Sequence, residues 1–127
     1  HAKDYIEMSW LMLQKKKPDD YVVATGRQYT VKEFINSAAI QLGMKLQWKG
    51  KGVKEKAYWL NSTKGKKLII EIDSRYFRPT EVETLLGDAS KAKEKLNWTP
   101  KISFEQLVKE MIDEDLKLAK NDSLINR

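Results

Sequence analysis

The 127-residue chain is 41% hydrophobic and 33% charged, enough apolar content for the modest core of one soluble globular unit. Four Trp and a mean hydropathy of −0.62 exclude a disordered chain and a membrane span, and the lack of Cys excludes disulfides, thiolate metal sites and Cys nucleophiles while fitting a cytoplasmic address. The net charge of +6 is unevenly placed: residues 45–67 hold eight Lys against one Glu, so an electrostatic partner would meet that segment.

His1 is preceded by neither an initiator Met nor an N-cap for the helix that follows, which reads as a piece of something longer. Residues 2–13 place Ala2, Tyr5, Ile6, Met12 and Leu13 on one face of an amphipathic helix, stopped by Lys15, Lys16, Lys17 and Pro18. Residues 21–24, YVVA, are expected to form a short buried strand closed by Thr25 and Gly26. A strand with a helix on each side in sequence points to an α/β fold.

Thr30 and Glu33 make a capping box ahead of Val31, Phe34, Ile35, Ala38, Ala39 and Leu42 at helical spacing, with Gly43 as the stop. Residues 45–49 and 57–60 read as short strands joined loosely around Gly50 and Gly52, and residues 68–72, LIIEI, as a second buried strand. Ser90 would cap a short Lys-rich helix ending at Asn97, with Trp98 and Pro100 folded onto the core. Ser103 and Gln106 form a second capping box for the last helix, with Phe104, Leu107, Val108, Met111, Ile112, Leu118 and Ala119 on one face and fraying expected from Asn121.

The densest chemistry lies in residues 73–88, DSRYFRPTEVETLLGD. Pro79 suits the first position of a helix, which puts Arg78 beside a ring of unpaired N–H groups and Glu81 in the first turn. A guanidinium at a helix start is shaped for phosphate oxygens, and a nearby carboxylate for hydroxyls. On spacing alone, an ordinary i, i+3 surface pair remains the plainer reading.

Much catalytic chemistry is excluded. The lone His1 builds no Ser-His-Asp triad or multi-His metal site, neither GxGxxG nor GxxxxGK[ST] occurs, and no Tyr has Lys four residues on. Asp113, Glu114 and Asp115 are consecutive and read as a solvated helix face. No catalytic residue and no metal ligand is therefore assigned. Trp48, Tyr58 and Trp59 among the lysines of 45–67 make the case for a basic nucleic-acid-binding module, opposed by the usual lysine dressing of exposed strands.

Residues 1–5 (HAKDY), 10–13 (WLML), 24–26 (ATG), 75–82 (RYFRPTEV), 85–88 (LLGD) and 91–96 (KAKEKL) with Trp98 resemble the C-terminal part of the GDP-mannose 4,6-dehydratases. That family is NADP-dependent, within the extended short-chain dehydrogenases. The resemblance implies a lyase that oxidises the sugar at C4, eliminates water across C5 and C6, and returns the hydride to C6. It implies an α/β fold in which this chain is the substrate-binding portion, a small sheet with flanking helices, the NADP-binding Rossmann domain and its catalytic groups lying elsewhere. By matching position, Arg78 would hold the diphosphate of GDP-mannose and Glu81 would accept from the ribose hydroxyls. Residues 1–26 would pack on the missing Rossmann sheet and 27–127 would form the nucleotide-sugar lobe, leaving apolar faces exposed in this chain. The intact enzyme would be a cytoplasmic homo-oligomer, dimer or tetramer, with another GDP-sugar such as a GDP-heptose as the alternative substrate. Ala89 stands where the family often has Pro, and Asn97 where it often has Gly; residues 45–67 diverge and inherit no role.

Overall fold

The first helix, α1 (Ala2–Leu13), buries a carboxylate together with a methionine. In the computed structural model, which describes residues 1–77 and 85–125, Asp4 is 3% exposed. One carboxylate oxygen accepts from the Lys101 N–H and the other from the Ile102 N–H, both at 3.2 Å, while the Asp4 carbonyl accepts from the Trp98 indole at 3.1 Å. Burying an ionised group is unfavourable unless donors are fixed around it, and here the backbone of residues 101 and 102 supplies them. Met8 lies one turn on, packed with Ala92, Leu96 and Trp98 and flanked by Leu11, Met12, Tyr21 and Ala89.

Most of the face expected to be buried is turned outward: Tyr5, Ile6 and Leu13 are 48%, 70% and 81% exposed, with Trp10 beside them at 59%, while Met12 of that face packs against the core. Both sides of α1 are apolar, so periodicity alone picks the wrong one. His1, expected to leave the helix uncapped, is its N-cap, and its Nδ1 accepts from the Lys3 N–H at 3.1 Å.

These elements belong to one compact unit, His1–Tyr29 with Glu83–Leu107. Its second helix, here α3 (Ser90–Leu96), ends as expected at Asn97 in the left-handed conformation, φ 51°, and the Trp98 N–H turns back to the Ala92 carbonyl. Ser90 is the first helical residue instead of the cap. Its N–H and hydroxyl donate to Asp88. Residues 21–24 form no strand, because no strand pairs with them among the described residues and both Val22 and Val23 are exposed. Gly87 passes close to this segment: a Cβ there would fall 2.6 Å from the Ala24 Cβ.

The other unit is Thr30–Val82 with Val108–Arg127. Helix α2 (Val31–Gln41) opens with the full capping box, Thr30 Oγ1 accepting from the Glu33 N–H and Glu33 from the Thr30 N–H, and closes before Gly43 at φ 66°. An antiparallel meander follows, β1 (Leu46–Lys49), β2 (Lys56–Trp59) and β3 (Lys67–Glu71), in the order β1-β2-β3. Trp48, Ala57 and Ile70 are cross-strand partners, and the Trp48 indole donates to Asn36 of α2 at 2.8 Å. Strand β3, expected to be buried, is an edge strand with Leu68 exposed. A run of apolar residues fits either place.

Asn61 ties the turns of this unit together. Its Oδ1 accepts from the Lys45 N–H and the Trp59 indole, and its Nδ2 donates to the Gly43 carbonyl. Helix α4 (Phe104–Ile125) starts at the Ser103 and Gln106 capping box in the first unit and continues in the second. It runs past Asn121, where fraying was expected, and pairs such as Lys109 with Asp113 and Lys117 with Glu114 support its polar face. The chain is therefore α/β in content, a small sheet with flanking helices.

Candidate functional site

Arg78 and Glu81, and the helix expected from Pro79, fall in residues 78–84 and lie outside the described residues. After β3 the chain turns at Asp73, whose carbonyl accepts from the Tyr76 N–H at 3.0 Å. The Asp73 carboxylate takes the Arg75 guanidinium in a fork, with Nη2 at 2.6 Å and Nε at 3.1 Å, and also accepts the Arg75 N–H. That guanidinium, then that N–H, hold the Asp73 carboxyl below its ordinary value. Arg75 is therefore committed to its neighbour and lies 5.6 Å from the Tyr76 ring. Tyr76 is 78% exposed and Phe77 is half exposed, an unusual pair of open aromatics directly before Arg78.

On the far side of the undescribed residues, Leu85 and Leu86 are also exposed. Asp88 fixes the chain there: the Ser90 hydroxyl first, then the Ser90 N–H, lower its carboxyl below the usual range. An acid at this place also complements the start of α3.

Sequence reasoning missed a cavity of about 390 Å³ in the first unit, lined in part by Thr25, Arg27, Tyr29, Lys101 and Phe104. Gly26 takes φ 70°, which lets the Thr25 hydroxyl reach the Arg27 carbonyl at 3.1 Å and sets Arg27 on the cavity wall. Tyr29 and Phe104 stack at 3.9 Å between centroids and 8° between planes. Glu105, in the first turn of α4, is held below the ordinary carboxylate value by its own N–H, then by Ser103, with Arg27 adding to the effect. Its carboxylate meets the positive end of that helix from within the chain. The signal present in the sequence was the capping box at Ser103, which fixes Phe104 as the first residue of α4. The groups here suit recognition. Lys101 is paired with Glu7, and His1 Nδ1 is an acceptor for the Lys3 N–H, so no paired acid and base is poised for proton transfer among the described residues.

Comparison with known proteins supplies the context. A family model described as GDP-mannose 4,6 dehydratase matches residues 1–111. A GDP-mannose 4,6-dehydratase of Vibrio cholerae is 49% identical, over 98% of this chain and 36% of the relative. GDP-mannose 4,6 dehydratase 1 of Arabidopsis thaliana is 52% identical over 98% of this chain and 29% of its own length, and the Homo sapiens GDP-mannose 4,6 dehydratase 42% identical over 96% and 32%. The chain thus spans about a third of the length of the curated relatives it matches.

Proposed function

The chain belongs to the GDP-mannose 4,6-dehydratase family, and on that premise we propose that it supplies the nucleotide-sugar-binding region of an enzyme converting GDP-mannose to GDP-4-keto-6-deoxymannose. The observation that carries this reading is that the family match over residues 1–111 includes Arg78 and Glu81. Arg78 holds the diphosphate as a forked donor and Glu81 accepts from the ribose hydroxyls. The neighbouring arginine supports the assignment: Arg75 is already engaged by Asp73, so the diphosphate role falls to Arg78.

The residues present do not fit NADP. The sequence holds no glycine-rich dinucleotide loop, and the sheet is an antiparallel meander without the strand, glycine turn and helix unit that cradles a pyrophosphate. The cofactor and the catalytic groups are assigned to a Rossmann domain outside residues 1–127. Residues 1–26 meet that domain through the outward Ile6, Trp10 and Leu13 stripe and through Val22 and Val23, and residues 27–127 form the sugar-nucleotide lobe. Exposed aliphatics in such a row are unfavourable in water, and an apolar sheet face would cover them. The intact enzyme is read as an NADP-dependent lyase of the extended short-chain dehydrogenases, cytoplasmic and homo-oligomeric as a dimer or tetramer. No helix among the described residues is long and apolar enough to cross a membrane.

The test is Arg78→Ala in the full-length protein. Losing a charge-assisted contact of about 1.5–3 kcal/mol raises the KM for GDP-mannose by roughly tenfold or more, with NADP affinity unchanged. An unaltered KM overturns the role.

A further inference from the structure

The end of α1 and the side of α3 enclose a second recess in the first unit, of about 450 Å³, lined in part by Lys15, Lys16, Lys17, Asp19, Tyr21 and Lys95. The chain builds it simply. Helix α1 closes on Gln14 and Lys15, whose N–H groups donate to Leu11 and Met12, and Pro18 then prevents continuation, so three consecutive lysines fan out past the helix end. In α3, Lys91 and Lys95 share a face at i, i+4.

These two lysines do different things. Lys91 donates to Asp19 at 2.6 Å and sits 5.2 Å above the Tyr21 ring, so the carboxylate of the lining is already neutralised. Among the described residues, the ammonium groups of Lys15, Lys16, Lys17 and Lys95 have no hydrogen bond or ion pair. Cations after a helix C-terminus complement its dipole, which accounts for lysines on α1. Lys95, in the last turn of α3, meets its own helix end in the same way; what the two dipoles do not account for is that both sets of lysines line one concavity. The Asp19 carboxyl is held below its ordinary value by the bond from Lys91 first, then by the Asp20 N–H, with Lys95 adding a smaller share. A concave wall carrying one sign of charge concentrates counter-ions.

We propose that this recess binds a phosphoryl-rich anion of the pyrophosphate or nucleoside polyphosphate class, at a site built from residues other than Arg78 and Glu81. Lysine suits the task as a compact charge with three donors, able to meet several phosphoryl oxygens without the fixed fork of arginine. Four such groups match the charge of a diphosphate better than that of a single carboxylate. The lysines close on the anion from two helix ends, with Tyr21 lining the recess beside them.

The experiment is calorimetric titration of the full-length protein with inorganic pyrophosphate, with GDP-mannose saturating the nucleotide-sugar site. One site is expected, weakening between low ionic strength and about 0.15 M salt as screening demands. Lys16→Glu, Lys17→Glu and Lys95→Glu combined should weaken it by about tenfold or more, whereas Lys64→Glu with Lys67→Glu, an exposed pair in the turn before β3 and at its first residue, should leave it intact. Lys95→Gln alone, which leaves the end of α1 untouched, should still weaken it. Absence of pyrophosphate binding, its loss when GDP-mannose is present, or equal weakening by the Lys64 and Lys67 changes overturns the proposal. So does binding to phosphatidic acid vesicles without any response to free pyrophosphate, since that would mark a membrane-facing patch.

Discussion

Asp4 and Asn61 each knit one unit with three hydrogen bonds to side chain and backbone, yet they work in different solvents. Asp4 is buried, and its partners come from residues 98, 101 and 102. Asn61 is exposed, and its partners at Gly43, Lys45 and Trp59 lie close in sequence. What separates them is the cost of failure. Water can replace the bonds of Asn61, whereas the N–H groups of Lys101 and Ile102 would be left in a partly buried place without an acceptor. Counting hydrogen bonds therefore misjudges which residue holds more of the structure.

The largest expected effect breaks the buried side. Asp4→Ala should lower stability by about 3 kcal/mol, read as a shift of the urea midpoint with unchanged slope. A loss under about 1 kcal/mol would show that Asp4 is no more important than a surface residue. Asn61→Ala is the matched test on the exposed side and should cost about 1 kcal/mol by the same measurement. Equal losses at the two positions would abolish the distinction.

The smallest effect concerns the capping box. Glu33 is held below its ordinary 4.5 by the Thr30 N–H and then the Thr30 hydroxyl. A carboxyl whose folded pKa is lowered adds stability above its unfolded pKa and loses it as pH falls through the folded value. Acid titration of the urea midpoint should therefore decline below the ordinary Glu value, and Glu33→Gln should flatten that decline by the share of this one carboxyl. Asp19, Asp73, Asp88 and Glu105, lowered by their own partners, keep the remainder of the slope. An unchanged slope in Glu33→Gln would show that the cap does not act through this carboxyl.

Local chemistry was readable from residues, and long-range choice was not. Both capping boxes, the left-handed Asn97 and the packing of Trp98 follow from rules that act within a few positions. The inward face of α1 does not, because Ile6, Trp10 and Leu13 offer as good a stripe as Met8, Leu11 and Met12. The choice is made by Asp4, an acid that would ordinarily be assigned to solvent in the first turn of a helix. Residues 21–24 have strand composition, but a strand needs a pairing partner and none is described here. Of the candidate site, RYFRPTEV was legible as a motif, and the Asp73 fork that occupies Arg75 separates the two arginines within it. The cavity at Arg27, Tyr29 and Phe104 joins segments more than seventy residues apart, which no local pattern announces.

The reach of Asp4 also sets an order of events during synthesis. Its bonds to Lys101 and Ile102 span 97 and 98 residues, whereas those of Asn61 span 16 or fewer outside the Gly43 link of 18. The meander can close as soon as it emerges, because short loops form quickly and at small entropic cost. The first unit must wait, with a charged residue and an apolar helix unsatisfied, until the chain has been made almost to its last helix. Until then α1 exposes apolar surface in the nascent chain.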